Sequence, residues 1–272
     1  MADYNPAYSH PSSYRGAISR SRRTGKLKLN SAVKIEHVSK SFSSASPDGK
    51  KTAAISDVSF SVEKGSVTVV GGANGSGKSV LMMLISGLLK PSQGKLTVSS
   101  KPGLVFQDAS TQILGDTPRE DVSIGPKNLK MARKDIPSIT ENALKSVNLL
   151  GKADFPAEFL SGGEKRRLAV ASILAMERDI IIFDEPYANL DYPGVVDVNR
   201  LISSLHEEGK TVILLTHELE KCLGLADHFL ILQKGKLVFD GRPEEAVKLP
   251  LEQWSIRNPL AQYISVKDLI WR

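Results

Sequence analysis

The chain has little cysteine and no long apolar run, and each absence excludes a class of protein. Cys222 is the only cysteine among 272 residues, so the chain forms neither an internal disulfide nor a cysteine-based metal cluster. No apolar run approaches the ~18 residues that a membrane-spanning helix requires. We therefore expect any membrane role to depend on a partner protein.

Positive charge is concentrated at the beginning of the chain. Residues 1–30 carry six basic side chains and one acidic side chain, which accounts for +5 of the net charge of +6 and leaves +1 for the remaining residues. A nucleic-acid-binding domain carries its basic surface on the folded part, so we expect no nucleic-acid partner. The segment is also rich in Ser, Tyr and Pro, which predicts a disordered basic arm over residues 1–31. An organelle transit peptide is the alternative.

A glycine-rich stretch from Gly72 to Ser79 has the spacing of a phosphate-binding P-loop. Glycine lets backbone N–H groups approach a phosphate chain closely, Lys78 adds a positive charge, and the hydroxyl of Ser79 suits Mg²⁺. An apolar run before the loop predicts a buried strand, and residues 79–89 predict a helix whose N-terminus favours anions. The predicted nucleotide-binding residues here are Gly72, Asn74, Gly75, Ser76, Gly77, Lys78, Ser79 and Val80.

Four polar residues follow predicted core strands. Asp184 and Glu185 follow a run of four apolar residues, while Gln107 and His217 each follow another run. Because ligands of open α/β sheets bind at the carboxyl ends of the strands, we expect these side chains to meet. Asp184 is predicted to hold Mg²⁺, and Glu185 to act as general base for an attacking water. For either carboxylate alone, a solvated loop charge is the alternative.

The segment from Leu160 to Glu164 opens a predicted helix that continues to about Met176. Ser161 and Glu164 fit a capping box, which is a structural explanation for both. Capping does not explain the two glycines between them, because glycine destabilises a helix. Bare N–H groups at a helix start attract anions, so this segment is a second candidate anion site.

The order of strand-like and helix-like segments predicts an α/β fold. Alternating apolar residues before the P-loop predict an antiparallel β subdomain beside a mostly parallel core. Residues 110–176 lose strand character and predict a helical insertion within a domain at residues 32–245, and residues 246–272 are a C-terminal extension. Phe42, after the first strand, is either a platform for an adenine ring or an ordinary core aromatic.

The combined pattern resembles the ATPase subunit of ABC transporters over roughly residues 33–245. The matching motifs, in chain order, are Gly72–Ser79, Gln107, Leu160–Glu164, Ile180–Glu185, Asn189–Asp191 and His217. They look like the Walker A, Q-loop, signature, Walker B, D-loop and switch-histidine motifs. The resemblance implies a P-loop NTPase (RecA-like) fold that uses ATP and Mg²⁺, with Phe42 stacked on the adenine. It assigns Gln107 to the metal and to catalysis, His217 to the attacking water, and Asp191 to the nucleotide.

The resemblance also implies a second ATPase subunit, either an identical copy or a paralogue. Two such subunits close head to tail over two ATP molecules. Ser161 and Gly163 of one subunit then contact the γ-phosphate held by Lys78 of the other. We therefore expect a lone chain to hydrolyse ATP poorly.

A narrower resemblance is to the ATPases of energy-coupling factor importers, the cobalt/nickel/biotin type. It rests on these segments: Val105–Asp108 with Gln112–Ile113, Glu120–Val122, Gly125–Leu129, Lys165–Ala169 and Ala175–Met176. Such importers take up vitamins or transition-metal ions through a small membrane protein, while a second membrane subunit inserts helices into a groove on each ATPase. In this chain the groove is expected around Gln107 to Asp121. Val80 stands where the family usually has Thr, and Glu164 replaces a frequent Gln.

The leading hypothesis is an ATP-hydrolysing subunit of an importer, peripheral on the cytoplasmic face of the cell membrane, with an organelle membrane as the alternative. It works with integral membrane subunits that choose the cargo. The alternative function is a soluble ABC ATPase in cofactor assembly, or one acting on nucleic acid or the ribosome. Only 83 positions separate Lys78 from Ser161, too few for the long coiled coil of the DNA-repair members.

Overall fold

The computed structural model describes residues 31–43, 51–262 and 265. Of the predicted basic arm only Ser31 falls within these ranges. The strands are β1 (Ser31–Ser43), β2 (Lys51–Glu63), β3 (Val67–Gly71), β4 (Gln93–Val98), β5 (Gly103–Val105), β6 (Ile180–Asp184), β7 (Thr211–Leu215), β8 (His228–Gln233) and β9 (Lys236–Gly241). The helices are α1 (Lys78–Ile85), α2 (Pro118–Asn128), α3 (Ile136–Ser146), α4 (Gly162–Ala175), α5 (Tyr192–Glu207) and α6 (Pro243–Ala246).

The strands form two sheets, as the predicted fold class requires. A three-stranded antiparallel sheet has the order β2-β1-β4, and a six-stranded sheet has the order β5-β6-β7-β3-β8-β9. Within the larger sheet every pairing is parallel except β8 with β9. The central strands β3 and β7 are buried along their whole length and are rich in β-branched residues, as strands covered on both faces usually are.

The register of the larger sheet brings three chain segments to one edge. Leu215 at the end of β7 pairs with Val70 of β3 on one side and with Asp184 of β6 on the other. The segments that follow these three strands therefore start side by side. They are the P-loop, the residue Glu185 and the pair Thr216–His217.

The stretch between β5 and β6 is helical. It contains α2, α3 and α4, together with short 3₁₀ turns. Helix α2 packs closely on the end of α4: a Cβ on Gly125 would lie 2.5 Å from Cγ of Met176, the residue that follows α4. Gly103 of β5 likewise leaves room for Ile173 of α4. The helical layer therefore lies against the β5 end of the larger sheet.

Two helices differ from the sequence-based prediction. Helix α1 ends at Ile85, and Gly87 follows it with φ +76°, instead of the helix continuing to Leu89. The sequence from Glu218 to Ala226, after His217, predicts a helix, but the structure has two 3₁₀ turns there, at Leu219–Lys221 and Leu223–Leu225. Cys222 lies between them with φ −140° and ψ −15°, which is not a helical conformation. The carbonyl of Lys221 accepts a hydrogen bond from Nδ2 of Asn199 instead of from a following helical N–H.

Residues beyond α6 pack on the larger sheet as far as Ile256. Leu251 and Ile256 are buried in its core, and the ring of Trp254 lies 6.5 Å from that of Phe239 in β9. Burial raises the pKa of the Cys222 thiol to about 12, so this cysteine is an unreactive core side chain. Among the described residues, no helix is long and apolar enough to cross a membrane.

Candidate nucleotide site

The P-loop curls around the amine of its own lysine. Lys78 is only 6% exposed, and its Nζ donates to the carbonyl oxygens of Gly72 at 2.6 Å and Ala73 at 3.3 Å. Both acceptors belong to the loop itself. The amine therefore sits at the centre of the loop, where a phosphate chain would lie.

Two glycines of the loop occupy positions that exclude a side chain. Gly72 has φ +149°, and a Cβ there would lie 2.4 Å from the carbonyl oxygen of Leu232. Gly77 has φ +110°, and a Cβ there would lie 2.9 Å from the carbonyl oxygen of Ala54. The hydroxyl of Ser76 is buried without a hydrogen-bond partner among the described residues. A cradle of backbone N–H groups with an unused hydroxyl fits a phosphate group.

Glu185 connects the P-loop to the end of β7. Its Oε1 lies 3.5 Å from Nζ of Lys78 and 3.0 Å from Nδ1 of His217. Its Oε2 accepts from Oγ1 of Thr216 at 3.0 Å and from the backbone N–H of His217 at 3.3 Å. The residue has φ +47°, an uncommon conformation for a non-glycine residue that is often found at functional sites. Lys78, Glu185 and His217 thus meet, as the strand-end argument predicts.

Asp184 lies beside this cluster at the end of β6. Burial raises the pKa of its carboxyl, the charge of Glu185 raises it further, and Lys78 opposes both effects. Asp184 and Gln107 line the same cavity of about 490 Å³. A bound cation would offset the cost of ionising Asp184 in this position.

The donors at this edge suit Mg²⁺ better than a softer metal. They are the exposed hydroxyl of Ser79, the carboxylate of Asp184 and the amide of Gln107. Mg²⁺ prefers oxygen ligands, keeps much of its water and takes few protein ligands. Among the described residues no group of three or more His, Cys, Asp and Glu side chains could hold a metal ion, so the site lacks the ligand cluster typical of zinc.

The signature segment, Leu160–Glu164, differs from the P-loop in that its polar side chains bond within the segment itself. Ser161 caps α4: its Oγ accepts from the N–H of Glu164 at 3.2 Å, and Oε2 of Glu164 accepts from the N–H of Ser161 at 3.0 Å. A Cβ on Gly162 or Gly163 would meet nothing within 4 Å. These glycines therefore leave open space outside the chain rather than room for internal packing.

Asp191 also uses its side chain within its own turn. It caps α5, and its Oδ1 accepts from the N–H of Gly194 at 3.0 Å. Within the described residues, neither Ser161 nor Asp191 forms a hydrogen bond or ion pair with Lys78 or Glu185. Direct contacts within one chain thus join the P-loop, Walker B and histidine residues, but they do not join Ser161 or Asp191 to them, although Gly162 and Asn189 line the same cavity as Asp184.

Phe42 and Val80 lie at the margin of the P-loop. Phe42 is 41% exposed and has Nζ of Lys40 5.3 Å from its ring centroid. It pairs with Thr52 of β2, the strand whose Ala54 lies against Gly77, so an exposed aromatic lies in the strand layer next to the loop. The side chain of Val80 packs against a buried apolar cluster that includes residues of β1, β2 and α1. Only its backbone N–H, in the first turn of α1, is therefore left for a phosphate.

Two residues of the site were not predicted from the sequence. Thr216 is fully buried and bonds to Glu185, and its place just before His217 was a usable signal. Arg166 is 4% exposed and donates from Nη2 to the carbonyl oxygen of Gln107 at 3.1 Å, so it fixes the backbone of the Q-loop. Burial lowers the pKa of Arg166; because Lys165 and Arg167 flank it, no sequence signal distinguished this buried arginine from an exposed one.

Relatives of the chain are described as ATP-binding proteins of ABC transporters or of energy-coupling factor transporters. A family profile described as "ABC transporter" matches residues 55–188. The energy-coupling factor transporter ATP-binding protein EcfA of Carboxydothermus hydrogenoformans is 37% identical over 246 residues, which are 85% of this chain and 89% of that protein. The EcfA of Methanocaldococcus jannaschii is 36% identical over 214 residues, 73% of this chain and 76% of that protein. EcfA2 of Methanospirillum hungatei JF-1 is 38% identical over 208 residues, and the match spans 52% of that longer protein.

Solved structures agree with the sequence relatives. The cbiO1 protein of Clostridium perfringens, part of the ABC transporter complex cbiONQ, superposes with a TM-score of 0.73 at 31% identity, covering 80% of this chain and 91% of that one. The ATP-binding cassette MJ0796, solved as a dimer bound to ADP and Pi, has a TM-score of 0.67 at 26% identity, covering 78% of this chain and 98% of that one. The chain therefore belongs to the ABC transporter ATPases and, among them, to the ATP-binding subunits of energy-coupling factor transporters, which couple ATP hydrolysis to transport.

Proposed function

We propose that Glu185 is the general base with which this ATPase subunit activates water against bound ATP. The observation that carries this role is the position of its Oε1, between Nζ of Lys78 and Nδ1 of His217. A carboxylate there faces the centre of the P-loop and has a histidine beside it to orient the water. Positioning and charge neutralisation supply most of the catalysis of phosphoryl transfer, and this cluster provides both.

The remaining residues bind the nucleotide. The N–H groups of the loop from Gly72 to Ser79 surround the phosphates, and Lys78 leaves its loop carbonyls for phosphate oxygens. Ser79, Asp184 and Gln107 hold Mg²⁺, which neutralises phosphate charge when it is bound. Phe42 stacks on the adenine ring.

A second ATPase subunit, either another copy of this chain or a paralogue, completes each site. Ser161, Gly163 and Asp191 of that subunit approach the phosphate held by Lys78. The open space in front of Gly162 and Gly163 supports this arrangement, because backbone N–H groups without side chains can approach a phosphate closely. The ATP-binding cassette MJ0796, a structural neighbour, has been solved as a dimer.

Integral membrane subunits dock on the groove around Gln107 to Asp121, on the cytoplasmic face of the cell membrane. A cavity of about 490 Å³ opens there, and its lining includes Ile113, Leu114 and Pro156. Leu114 is 76% exposed and Phe159 is 69% exposed, so apolar surface is available to a helix of a partner. The cargo, a vitamin or a transition-metal ion, is chosen by the membrane subunits.

The test is purification through a tag on this chain from cells that express it with its partners. We expect integral membrane proteins to co-purify and the complex to hydrolyse ATP in the presence of Mg²⁺. Lys78→Ala should lower kcat by about 100- to 1000-fold, whereas Lys64→Ala, at an exposed lysine outside the loop, should leave it unchanged. Recovery of nucleic acid or ribosomes instead of membrane proteins would favour a soluble ABC ATPase and overturn the transport role.

A further inference from the structure

The two carboxylate oxygens of Glu185 have separate environments. Oε1 faces Lys78 at 3.5 Å and the ring of His217 at 3.0 Å. Oε2 points to the strand-end backbone, where the hydroxyl of Thr216 and the N–H of His217 donate to it. Only Oε1 is therefore turned toward the place where the phosphates and the attacking water lie.

The Thr216 hydroxyl is fixed from both sides. Its Oγ1 accepts from the N–H of Glu218 at 3.1 Å and donates to Oε2 of Glu185 at 3.0 Å. The backbone N–H of Thr216 donates to the carbonyl oxygen of Val70, just before the P-loop, at 3.1 Å. A hydroxyl has a single hydrogen. Because the N–H of Glu218 occupies an acceptor position of Oγ1, the hydrogen of Thr216 has to point at the carboxylate of Glu185.

The requirement for a hydrogen bond in a buried site does not by itself explain this contact. Thr68 and Thr140 are as buried as Thr216, and their hydroxyls have no hydrogen-bond partner among the described residues. The fold therefore accepts buried threonines without a bonded hydroxyl. What distinguishes Thr216 is its acceptor, the carboxylate that lies beside Lys78.

We propose that Thr216 is a positioning residue for ATP hydrolysis, which rests on the assignment of Glu185 as general base. Thr216 holds Oε2 so that Oε1 is the oxygen that receives a proton from water. In that step the water oxygen bonds to the γ-phosphorus, and the bond from this phosphorus to the bridging oxygen breaks with its electron pair left on ADP. One water proton moves to Oε1, and inorganic phosphate is released. Without the Thr216 hydroxyl, Oε2 keeps only the longer hydrogen bond from the N–H of His217, so the carboxylate is held less firmly and the base is misplaced.

The experiment compares Thr216→Val, Thr216→Ser and Thr140→Val in the complex purified through this chain. Val keeps the shape and removes the hydroxyl, Ser keeps the hydroxyl, and Thr140→Val makes the same change at a buried threonine in α3. We expect Thr216→Val to lower kcat by about 10- to 100-fold, because small misplacements of catalytic groups have effects of this size. KM for ATP and the affinity for a fluorescent ATP analogue should stay within about 2-fold of wild type. Thr216→Ser and Thr140→Val should retain most of the wild-type kcat.

Several results would overturn the inference. Wild-type kcat in Thr216→Val, or an equal loss of kcat in Thr216→Ser, would show that the hydroxyl does not position the base. An increase in KM with kcat unchanged would assign Thr216 to nucleotide binding instead. If Thr216→Val does not fold, Thr216→Ala gives the same comparison of kcat with nucleotide affinity. A wild-type complex that hydrolyses no ATP would refute the proposed function itself, whereas an active wild type with an unaffected Thr216→Val refutes only the role of Thr216.

Discussion

The proposed nucleotide site has a P-loop half, which includes Lys78 and Asp184, and a signature half, Leu160–Glu164. The two halves differ in how their acidic side chains are held. Around the P-loop, Asp184 is half-buried and burial raises its pKa. At the start of α4, Glu164 accepts a hydrogen bond from Lys152 at 2.6 Å, and this contact lowers the pKa of Glu164. The carboxylate of Asp184 lacks a partner that fully offsets its charge, whereas the carboxylate of Glu164 has its hydrogen-bond donors within the chain.

This difference indicates what each half needs. The P-loop half becomes favourable when a cation and a nucleotide bind, because they supply the missing charges to Asp184 and Lys78. The signature half is stable by itself, and the glycines after Ser161 face open space. In the proposed function, this half acts only when a second subunit approaches it. The proposal thus gives one chain a site that needs a ligand and a surface that needs a partner.

The largest effect is expected at Glu185. Glu185→Gln keeps the shape of the side chain but removes the base, so kcat should fall by about 100- to 1000-fold while ATP affinity stays near the wild-type value. ATPase assays and nucleotide titrations of the same preparation measure both. Glu207→Gln, at an exposed position of α5, is the control. Normal turnover in Glu185→Gln would remove this residue from its role.

A comparable loss with a different cause is expected at Ser161. Asp is as good a helix cap as Ser, so Ser161→Asp preserves α4 but places a negative charge where a partner's phosphate would lie. We expect kcat to fall by roughly 100-fold while the affinity of the isolated chain for nucleotide is unchanged. Ser138→Asp, in the first turn of α3, is the control. If Ser161→Asp retains full activity, the signature half does not contact phosphate.

Replacing Asp184 should stabilise the nucleotide-free protein. The raised pKa means that the folded chain holds a proton that the unfolded chain has released, so ionisation of Asp184 destabilises the fold as the pH rises. Asp184→Asn should therefore raise Tm of the nucleotide-free protein by about 2–4 °C at about pH 8, and this gain should shrink as the pH falls through the raised pKa toward the ordinary pKa of an aspartate. Calorimetry over this pH range checks it. A gain that grows as the pH falls would contradict the cause assigned here.

The smallest effect is expected at Glu164. Glu164→Gln keeps the capping geometry and weakens the contact with Lys152, which is a half-exposed pair. Because the pKa of Glu164 is lowered in the folded state, its stabilisation is present above the ordinary pKa of a glutamate and is lost as the pH falls through the lowered value. We expect a decrease in Tm of at most about 2–4 °C near neutral pH, with ATPase activity within about 2-fold. A large loss of activity would assign Glu164 a catalytic role.

Local sequence signals predicted the parts of the site that form within one segment. The P-loop has its glycines where a side chain would collide with Leu232 or Ala54, and the capping box of α4 uses residues three positions apart. The contact of Thr216 with Glu185 joins residues 31 positions apart. It depends on β6 and β7 being neighbours, and that register is a property of the folded sheet rather than of either strand.

Tertiary contacts also explain the misplaced helix after His217. Apolar spacing there fits a helix, but Nδ2 of Asn199 in α5 donates to the carbonyl oxygen of Lys221, and the backbone of Cys222 is not helical. Packing against another element thus overrides local propensity. The burial of Leu251 and Ile256 in the main core likewise depends on tertiary packing, which no local pattern reveals.

The most direct test of the two-half account is the mass of the Glu185→Gln protein by light scattering, alone and with any ATPase subunit that co-purifies. With Mg²⁺ and ATP, we expect a species that contains two ATPase subunits, because bound nucleotide joins each P-loop to the signature segment of the other subunit. The Glu185→Gln protein that also carries Ser161→Asp should keep the mass of one ATPase subunit. A Glu185→Gln protein that binds ATP but stays at the mass of one ATPase subunit would contradict the account.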